Sequence, residues 1–289
     1  MSDPLVSVLL PCRNGARTLG LALRSILDQS FNDFEILLVN DGSTDNSLEV
    51  VRSFCDSRIR ILGDETGRGL SFRLNEGVKL ARGQYIARMD ADDVSFPERF
   101  AKQVSFLDAN PEVSLLGCRA VVFRDSGDVV GLLPFSRDHA MLCARPWRNI
   151  PLPHPSWMGR RHWFEAHPYR MPEVPRAEDQ ELLLRSYPDS CYACLDEVLL
   201  GYRQGNFQLK RTLLARGALL SAQLGIFSRR REWQYFVSAL MMSSVKIVVD
   251  CLAALPGSEK LFFFRMSDPV DPEVVESLQN RLSRLDGAG

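Results

Sequence analysis

The sequence is poor in the signals that usually announce a chemistry. Its 289 residues include only four histidines, His139, His154, His162 and His167, and none stands at the spacing by which a helix binds metal. Seven cysteines form an odd set, which argues against a disulfide framework and for a reducing compartment. Cys191-Tyr-Ala-Cys194 has no second pair at comparable spacing, so the two read as cysteines on a strand and not as a zinc site. A net charge of −1 supplies no broad basic field, and nucleic acid is not expected as a partner. No basic stretch precedes the apolar residues 5–10, which are too few for a secretory signal; they read as the first strand of a cytoplasmic protein. Neither G-x-G-x-x-G nor a phosphate loop follows that strand, since Gly15 stands alone and Gly67-Arg-Gly69 lies elsewhere, which excludes the usual dinucleotide cradle. Residues 236–255 are apolar, yet Lys246 and Asp250 would each cost about 2.5 to 3.5 kcal/mol at a bilayer centre, so no membrane span is expected there.

What the sequence does hold is acid in telling places. In Gly83-Gln-Tyr-Ile-Ala-Arg-Met-Asp-Ala-Asp-Asp-Val-Ser-Phe-Pro97, an apolar strand candidate runs into three carboxylates, Asp90, Asp92 and Asp93, and then a helix start. Carboxylates this close raise one another's pKa unless a cation holds them ionised, and oxygen ligands at a strand end suit Mg²⁺ or Mn²⁺ better than zinc. The simpler reading is an acidic turn capping the next helix. Around this stretch short apolar runs alternate with amphipathic ones. Strands are expected over residues 5–11, 34–40, 59–62 and 85–89, and helices behind a cap at Thr18, through Leu48 and Val51, and over residues 70–81. The alternation implies an α/β fold with a mostly parallel, Rossmann-like sheet flanked by helices.

In such a sheet, ligands bind beyond the carboxyl ends of the strands. Three strands end there in polar residues: Pro11-Cys-Arg-Asn14, Asn40-Asp-Gly-Ser43 and Asp90-Ala-Asp-Asp93. This composition suits a nucleoside diphosphate bridged to the carboxylates by a cation, because carboxylates repel phosphate directly. Asp41 is then suited to accept from a base N–H, which uracil, thymine and guanine offer and cytosine does not.

These segments, with Gln29-Ser-Phe31, Glu35-Ile-Leu-Leu-Val-Asn-Asp-Gly-Ser-Thr-Asp45, Asn75-Glu-Gly77 and Ala81-Arg-Gly-Gln-Tyr85, resemble the family 2 glycosyltransferases, densely over roughly the first 120 residues. The likeness continues more thinly through His154-Pro155, Ala177-Glu-Asp-Gln-Glu181 and Tyr202-Arg203. It implies a GT-A fold and transfer of a sugar from a nucleotide diphosphate donor, by preference a UDP-sugar, with inversion at the anomeric carbon. It further implies that Pro11, Arg13, Asn14, Asp41, Asn75, Asp90 and Ala91 bind the donor, with Asp41 on the uracil. Asp90 and Asp92 match the D-x-D pair around Mn²⁺ or Mg²⁺, Asp92 being the direct ligand, and Asp179 matches the general base. Inverting displacement needs a base for the acceptor hydroxyl, and a carboxylate beside another can have a pKa raised to suit. Residues 178–181 also read as the acidic first turn of a helix, favoured by its dipole. The sequence departs from the family at Arg13, where an aromatic commonly stacks on the base, at Asn40 in place of a frequent aspartate, and at Gln180, where an aromatic or apolar residue is usual.

On this reading residues 1–110 form the nucleotide-sugar-binding half, 111–205 the acceptor half and 206–289 a helical C-terminal extension. The acceptor half is expected to open with a strand over 114–123 and a hairpin at Ser126-Gly127, with Trp147, Trp157 and Trp163 in the core more readily than on a sugar face. His154 either helps place the acceptor or phosphate or caps the turn before Pro155. In the extension, Lys246 and Asp250 are expected to pair at their helical spacing. Arg229-Arg-Arg231 ahead and Leu261-Phe-Phe-Phe264 behind suit a helix on an anionic membrane surface; the alternative is a helical subdomain packed on the core or on a second subunit of a homo-oligomer. Gln208-Leu-Lys-Arg211 is similar to the start of the processive synthases' Q-x-x-R-W, but Thr212 replaces the tryptophan, so one sugar per encounter is expected, on a glycan or lipid-linked acceptor. Two other classes share these features: a nucleotide-sugar-binding scaffold without turnover, and a nucleotidyltransferase, which also sets metal carboxylates on an α/β sheet.

Overall fold

The computed structural model describes residues 3–172, 174–255, 258 and 269–286. Strands β1 (Val6–Cys12) and β2 (Phe34–Asp41) are buried along their whole length, as the central strands of a parallel sheet must be when helices cover both faces. β1 pairs in parallel with β2 and with β4 (Tyr85–Arg88), and β2 pairs in parallel with the edge strand β3 (Ile59–Asp64). The register sets Cys12 against Asn40, Asp41 against Asp64 and Leu9 against Arg88, so the carboxyl ends of these strands finish on one edge.

Past β4 the directions mix. β8 (Met158–Arg160) runs antiparallel to β4 and to β6 (Leu115–Phe123), β9 (Tyr192–Arg203) runs parallel to β6, and β5 (Val94–Ser95) runs antiparallel to β9. β7 (Val129–Leu132) closes on β6 as the hairpin expected at Ser126-Gly127. The order is β3-β2-β1-β4-β8-β6-β9-β5. The parallel expectation therefore describes residues 1–110; over residues 111–205 the sheet is mixed, because the β6–β7 hairpin and the long loop from β7 to β8, which holds the short helix α5 (His139–Leu142), reverse the chain without a crossover along the sheet.

Alternation along the strands divides the core. Val6, Val8 and Leu10 pack toward α1 (Ala16–Leu27), α2 (Ser47–Arg52) and α4 (Arg99–Ala109), whereas Leu9, Leu37 and Val39 pack toward α3 (Leu70–Leu80) and, further along that face, α6 (Arg161–Ala166) and α7 (Glu178–Ser186). Trp157 and Trp163 lie buried in this second cluster and Trp147 packs against it, as the core reading of the tryptophans requires. α1 begins earlier than a cap at Thr18 would allow. Its orphan amides at Gly15 and Ala16 donate to Ser47 Oγ (2.9 Å) and Asp45 Oδ2 (3.0 Å), so the next loop caps the helix across space.

The C-terminal extension opens with an antiparallel hairpin of α8 (Leu209–Arg230) and α9 (Trp233–Ala253), turned at left-handed Arg231. The expected Lys246–Asp250 pair does not form. Asp250 faces the seam between the helices and binds Arg216 of α8 (Nη2 to Oδ1, 2.9 Å), while Lys246 reaches the Arg148 carbonyl (2.8 Å). With the acid turned inward, the outer face of α9 carries exposed Val237, Met241, Val245, Val248 and Leu252. By length and mean hydropathy, 1.8, α9 has the composition of a membrane span, although most of the charge that argued against one is turned into the protein. The helix α10 (Pro272–Asp286) returns to the nucleotide half, where Leu278 and Leu285 join Val94, Phe96 and Phe123 in a third cluster. Leu261-Phe-Phe-Phe264 lies outside the described residues.

α10 is fixed by one buried cation: Arg281 donates to the Ser95 carbonyl (2.7 Å), the Ser25 carbonyl (3.1 Å) and Asp28 Oδ2 (3.0 Å). Arg281→Met removes the donor to the Ser95 carbonyl and to Asp28, leaving the Ser25 carbonyl only Gln29 Nε2 (3.2 Å), and the expected loss of unfolding free energy is about 1.5 to 3 kcal/mol. Urea denaturation measures it; an unchanged midpoint would show that α10 does not dock on α1.

Candidate active site

Asp41 ends β2 with 6% of its surface exposed. Its Oδ1 accepts from the Arg68 amide (2.6 Å), the Gly69 amide (3.1 Å) and Arg73 Nε (3.1 Å). Oδ2 has a longer contact with the Gly69 amide (3.2 Å) and lies 3.7 Å from Arg13 Nη1, so it keeps accepting capacity toward the crevice. Arg73 is fully buried and also binds Asp64 Oδ1 (2.5 Å), Glu76 Oε2 (2.9 Å) and the Thr66 carbonyl (2.6 Å). A guanidinium with every side matched is what makes burying this charge tolerable, and it stiffens the floor beneath Asp41. Gly42 permits the crossing: at φ +68, a Cβ there would stand 2.6 Å from the Glu65 carbonyl oxygen.

The β1 loop is sewn to the β2 loop. The Thr44 amide donates to Asn14 Oδ1 (2.8 Å) and the Asn14 amide donates to Ser43 Oγ (3.1 Å), so the Asn14 side chain, expected on the donor, first of all holds the loops together. Pro11 is buried inside β1, and Arg13, largely exposed, lays its guanidinium against Gly67 at the mouth. Asn75 is further from expectation. Its Nδ2 donates to the Tyr169 carbonyl (2.9 Å) and its Oδ1 accepts from the Tyr169 amide (2.9 Å), a clasp that leaves its amide committed to protein.

Beyond β4 the chain turns through Asp90, Ala91, Asp92 and Asp93 and enters β5, which β9 pins in place with Val94 opposite Gly201. Ligand oxygens of Asp90, Asp92 and Asp93 lie within 4.8 Å of one another. Arg88, 3% exposed, reaches Asp90 Oδ1 with Nη1 at 2.5 Å, although its Nε and Nη1 lack well-aligned hydrogen bonds. Buried Asp93 accepts the Arg203 amide on Oδ1 (2.8 Å), and its Oδ2 has no partner among the described residues. Burial and then the charges of Asp90 and Asp92 push the Asp93 carboxyl well up. Asp92 is open to solvent as a residue, but its carboxyl is shielded by its neighbours; that shielding, and then the Asp90 charge, push it up to about 6. These residues fit a divalent cation: three hard oxygen donors converge, one of them buried with an unsatisfied oxygen among the described residues, and the raised carboxyls of Asp92 and Asp93 are what a positive charge relieves.

Asp179 lies in the first turn of α7, and burial raises its carboxyl while the Gln180 hydrogen bonds and the Arg88 charge oppose that rise. Gln180 earns its place structurally, clasping the Ile150 backbone with both amide atoms (3.0 and 3.1 Å) and so fixing the start of α7. One hydroxyl reports the assembly of the whole crevice. Burial raises the Tyr202 pKa, and the fields of Asp93, Asp90, Asp92 and Asp179 raise it further, so the acidic turn and α7 converge on one place. His154 Nε2 shares a 2.7 Å hydrogen bond with the Tyr169 hydroxyl, its ring stands edge-on to Trp157, and burial followed by the Arg88 charge keeps it neutral.

Sequence reasoning missed Arg73, Arg88, Asp93 and Tyr169. Arg88 carried a signal, a cation inside an apolar strand one residue before Met89-Asp90, and buried cations need an ionic reason. Asp93 stood within the acidic stretch but was assigned no role. Arg73 and Tyr169 carried none, because their partners are distant in the chain.

Residues 7–167 match the profile of Glycosyl transferase family 2. EpsE of Bacillus subtilis (strain 168) is 33% identical over 218 residues, 73% of this chain and 77% of EpsE. The chain belongs to glycosyltransferase family 2. This transferase is also similar to the UDP-Glc:alpha-D-GlcNAc-diphosphoundecaprenol beta-1,3-glucosyltransferase WfgD of Escherichia coli, 35% identical over 107 residues, 37% of this chain and 42% of WfgD. Among solved structures, S. aureus TarS 1-349 in complex with UDP-GlcNAc superposes with a TM-score of 0.59 at 17% identity, covering 100% of this transferase and 92% of that chain. The mannosyltransferase PcManGT from Pyrobaculum calidifontis, in complex with GDP-Man and Mn2+, also gives 0.59 at 17% identity, with 99% and 87% covered. At such identity the likeness carries the fold, which is GT-A, as expected.

Tyr169→Phe leaves His154 Nε2 buried beside a ring that cannot bond it. Unfolding free energy is expected to fall by about 1 to 3 kcal/mol. Chemical denaturation tests this, and Asn75→Ala, which breaks the backbone clasp instead, should cost a similar amount independently.

Proposed function

We propose that the crevice transfers a single hexosyl unit from a UDP-sugar to a hydroxyl of a glycan or lipid-linked saccharide, with inversion. The observation that carries this is the cluster of Asp90, Asp92 and Asp93, with ligand oxygens within 4.8 Å of one another, together with Asp41 at the end of β2 and Asp179 in the first turn of α7. A base-reading carboxylate, a cation-binding group and a lone raised carboxylate are the parts an inverting transfer requires.

Asp41 Oδ2 accepts the uracil imide N–H, with Oδ1 already immobilised by Arg68, Gly69 and Arg73. Arg13 stacks its guanidinium on the base in place of the usual aromatic. Pro11, Asn14 and Ala91 shape the donor floor through backbone, and Asn75 acts by fixing Tyr169. Asp92 and Asp90, with Asp93 behind them, would hold Mn²⁺ or Mg²⁺, which when bound neutralises charge on the departing diphosphate. Asp179 takes the proton of the acceptor hydroxyl as that oxygen bonds to the anomeric carbon and the bond to UDP breaks. Burial makes its carboxyl basic enough to accept the proton, and the Arg88 charge keeps it ionised beforehand.

Calorimetry of UDP, GDP and dTDP, with Mn²⁺ and then with EDTA, is the direct test: metal-dependent binding of UDP is expected, and binding of none by folded protein would overturn the reading. Asp179→Asn should retain that binding and lose about 10² to 10⁴ in kcat, whereas Asp92→Ala should weaken it. Release of pyrophosphate in place of UDP would instead identify a nucleotidyltransferase.

The exposed face of α9, preceded by exposed Arg229, supports peripheral contact with an anionic membrane at the cytoplasmic face. Sedimentation with phosphatidylglycerol vesicles should carry the protein down at low salt, and Met241→Glu with Val245→Glu should abolish it while UDP binding persists. Concentration-dependent dimerisation lost in the same variant would assign the face to a homo-oligomer.

A further inference from the structure

Beside Tyr169 lies a cavity of about 560 Å³ whose wall includes Asn75, Tyr169, Arg170, Glu181, Arg185 and Arg229. Its charges are unequal in availability. Glu181 is 1% exposed and closed off by Arg185, whose Nε lies 3.1 Å from Oε1 and whose Nη2 donates to the Pro168 carbonyl (2.6 Å). That pair neutralises itself. Arg170 and Arg229 come from separate elements, are exposed, and have no ion-pair partner among the described residues. The charge offered to a ligand is therefore positive, from two planar guanidinium groups, and that chemistry matches phosphate oxygens.

We infer that this cavity binds a phosphate or diphosphate group carried by the acceptor. The inference rests on the transferase reading above, because the donor's own diphosphate then belongs at Asp90 and Asp92 and leaves the arginines for the other substrate. Helix α7 joins the two places: its first turn carries Asp179, and its Glu181 and Arg185 line the cavity beside Tyr169. The Tyr169 backbone, clasped by Asn75, forms the cavity wall, and its hydroxyl feels the charges of Arg88, Glu178, Asp179 and Asp90. An anion on the arginines thus lies along the helix that carries Asp179, an arrangement that suits a sugar whose hydroxyl is activated there and whose phosphate is held by the arginines. Arg229 also precedes Trp233, 58% exposed at the start of the apolar face of α9, so an acceptor with a hydrocarbon tail has an apolar surface beside its headgroup.

The test is calorimetry of inorganic pyrophosphate in EDTA, where the carboxylates have no cation with which to hold it, on the wild type and on Arg170→Gln/Arg229→Gln. Single-site binding weakened at least about tenfold in the double variant is expected, with Mn²⁺-dependent UDP binding unchanged in the same preparations. Pyrophosphate bound equally by both proteins, or by neither while UDP still binds, overturns the inference alone. Loss of UDP and pyrophosphate binding together in folded wild type overturns it with the donor reading. Farnesyl diphosphate binding more tightly than pyrophosphate supports a lipid-borne group, and equal affinity supports a water-soluble phosphate.

Discussion

Everything in the crevice depends on how carboxylates are kept side by side. Asp90, Asp92, Asp93 and Asp179 all act on the Tyr202 hydroxyl, and the cations answering them from within the protein are Arg88 and Arg203. Arg203 also pairs with Asp125 (3.1 Å), and the Asp92 and Asp93 carboxyls stay raised, so the acids are incompletely neutralised from within, a condition that a divalent ion would relieve. Arg88 is the central member. It is buried at the end of β4, pairs with Asp90, opposes protonation of Asp179 and disfavours protonation of His154. Its own position is fixed from behind by fully buried Arg99, whose Nη2 donates to the Arg88 carbonyl (2.8 Å). The catalytic edge is thus an electrostatic structure first and a packing structure second.

The donor end solves the same problem differently. Asp41 is not balanced by a neighbour in its strand but by backbone amides of the turn after β3 and by Arg73 in the first turn of α3. One oxygen is immobilised and the other keeps accepting capacity, so the carboxylate is more than a loop anchor. The loops around it are mutually dependent, since Ser43 and Thr44 hold Asn14 while Asp45 and Ser47 cap α1. A change in any one of them moves the nucleotide site and the first helix together.

Much of this was readable in the chain because it is local. The strand starts and ends, the acidic turn, Asp41 and the first turn of α7 each declare themselves within a few residues, and the fold class follows from their alternation. What was not readable depends on partners far away. Arg73 meets Asp41 across 32 residues and Asn75 meets Tyr169 across 94, so spacing gives no hint of either. Lys246 and Asp250 misled for a related reason: a separation of four puts two residues on neighbouring turns of a helix but does not say that they prefer each other to Arg148 and Arg216. The cap at Thr18 failed likewise, because residues from the second loop satisfied the amides of α1 first.

The same inward turn of charge explains the C-terminal surface. A helix as apolar as α9 would ordinarily be buried on most sides, and a solvated one would carry its charges outward. Here Asp250 is 1% exposed against Arg216, and the outer positions are Val237, Met241, Val245, Val248 and Leu252. At about 25 cal/mol per Å² of apolar surface, leaving such a stripe in water forgoes stabilisation that covering it would recover. The arginines at the end of α8 decide how it is covered: Arg230 is drawn in to cap α7 through the Leu184 and Arg185 carbonyls, while Arg229 stays out at the cavity beside Tyr169. Charge and apolar surface are therefore joined at one corner, beside that cavity. A substrate that is itself anionic at one end and apolar at the other would satisfy both at once, which neither a soluble sugar nor a plain hydrocarbon surface does.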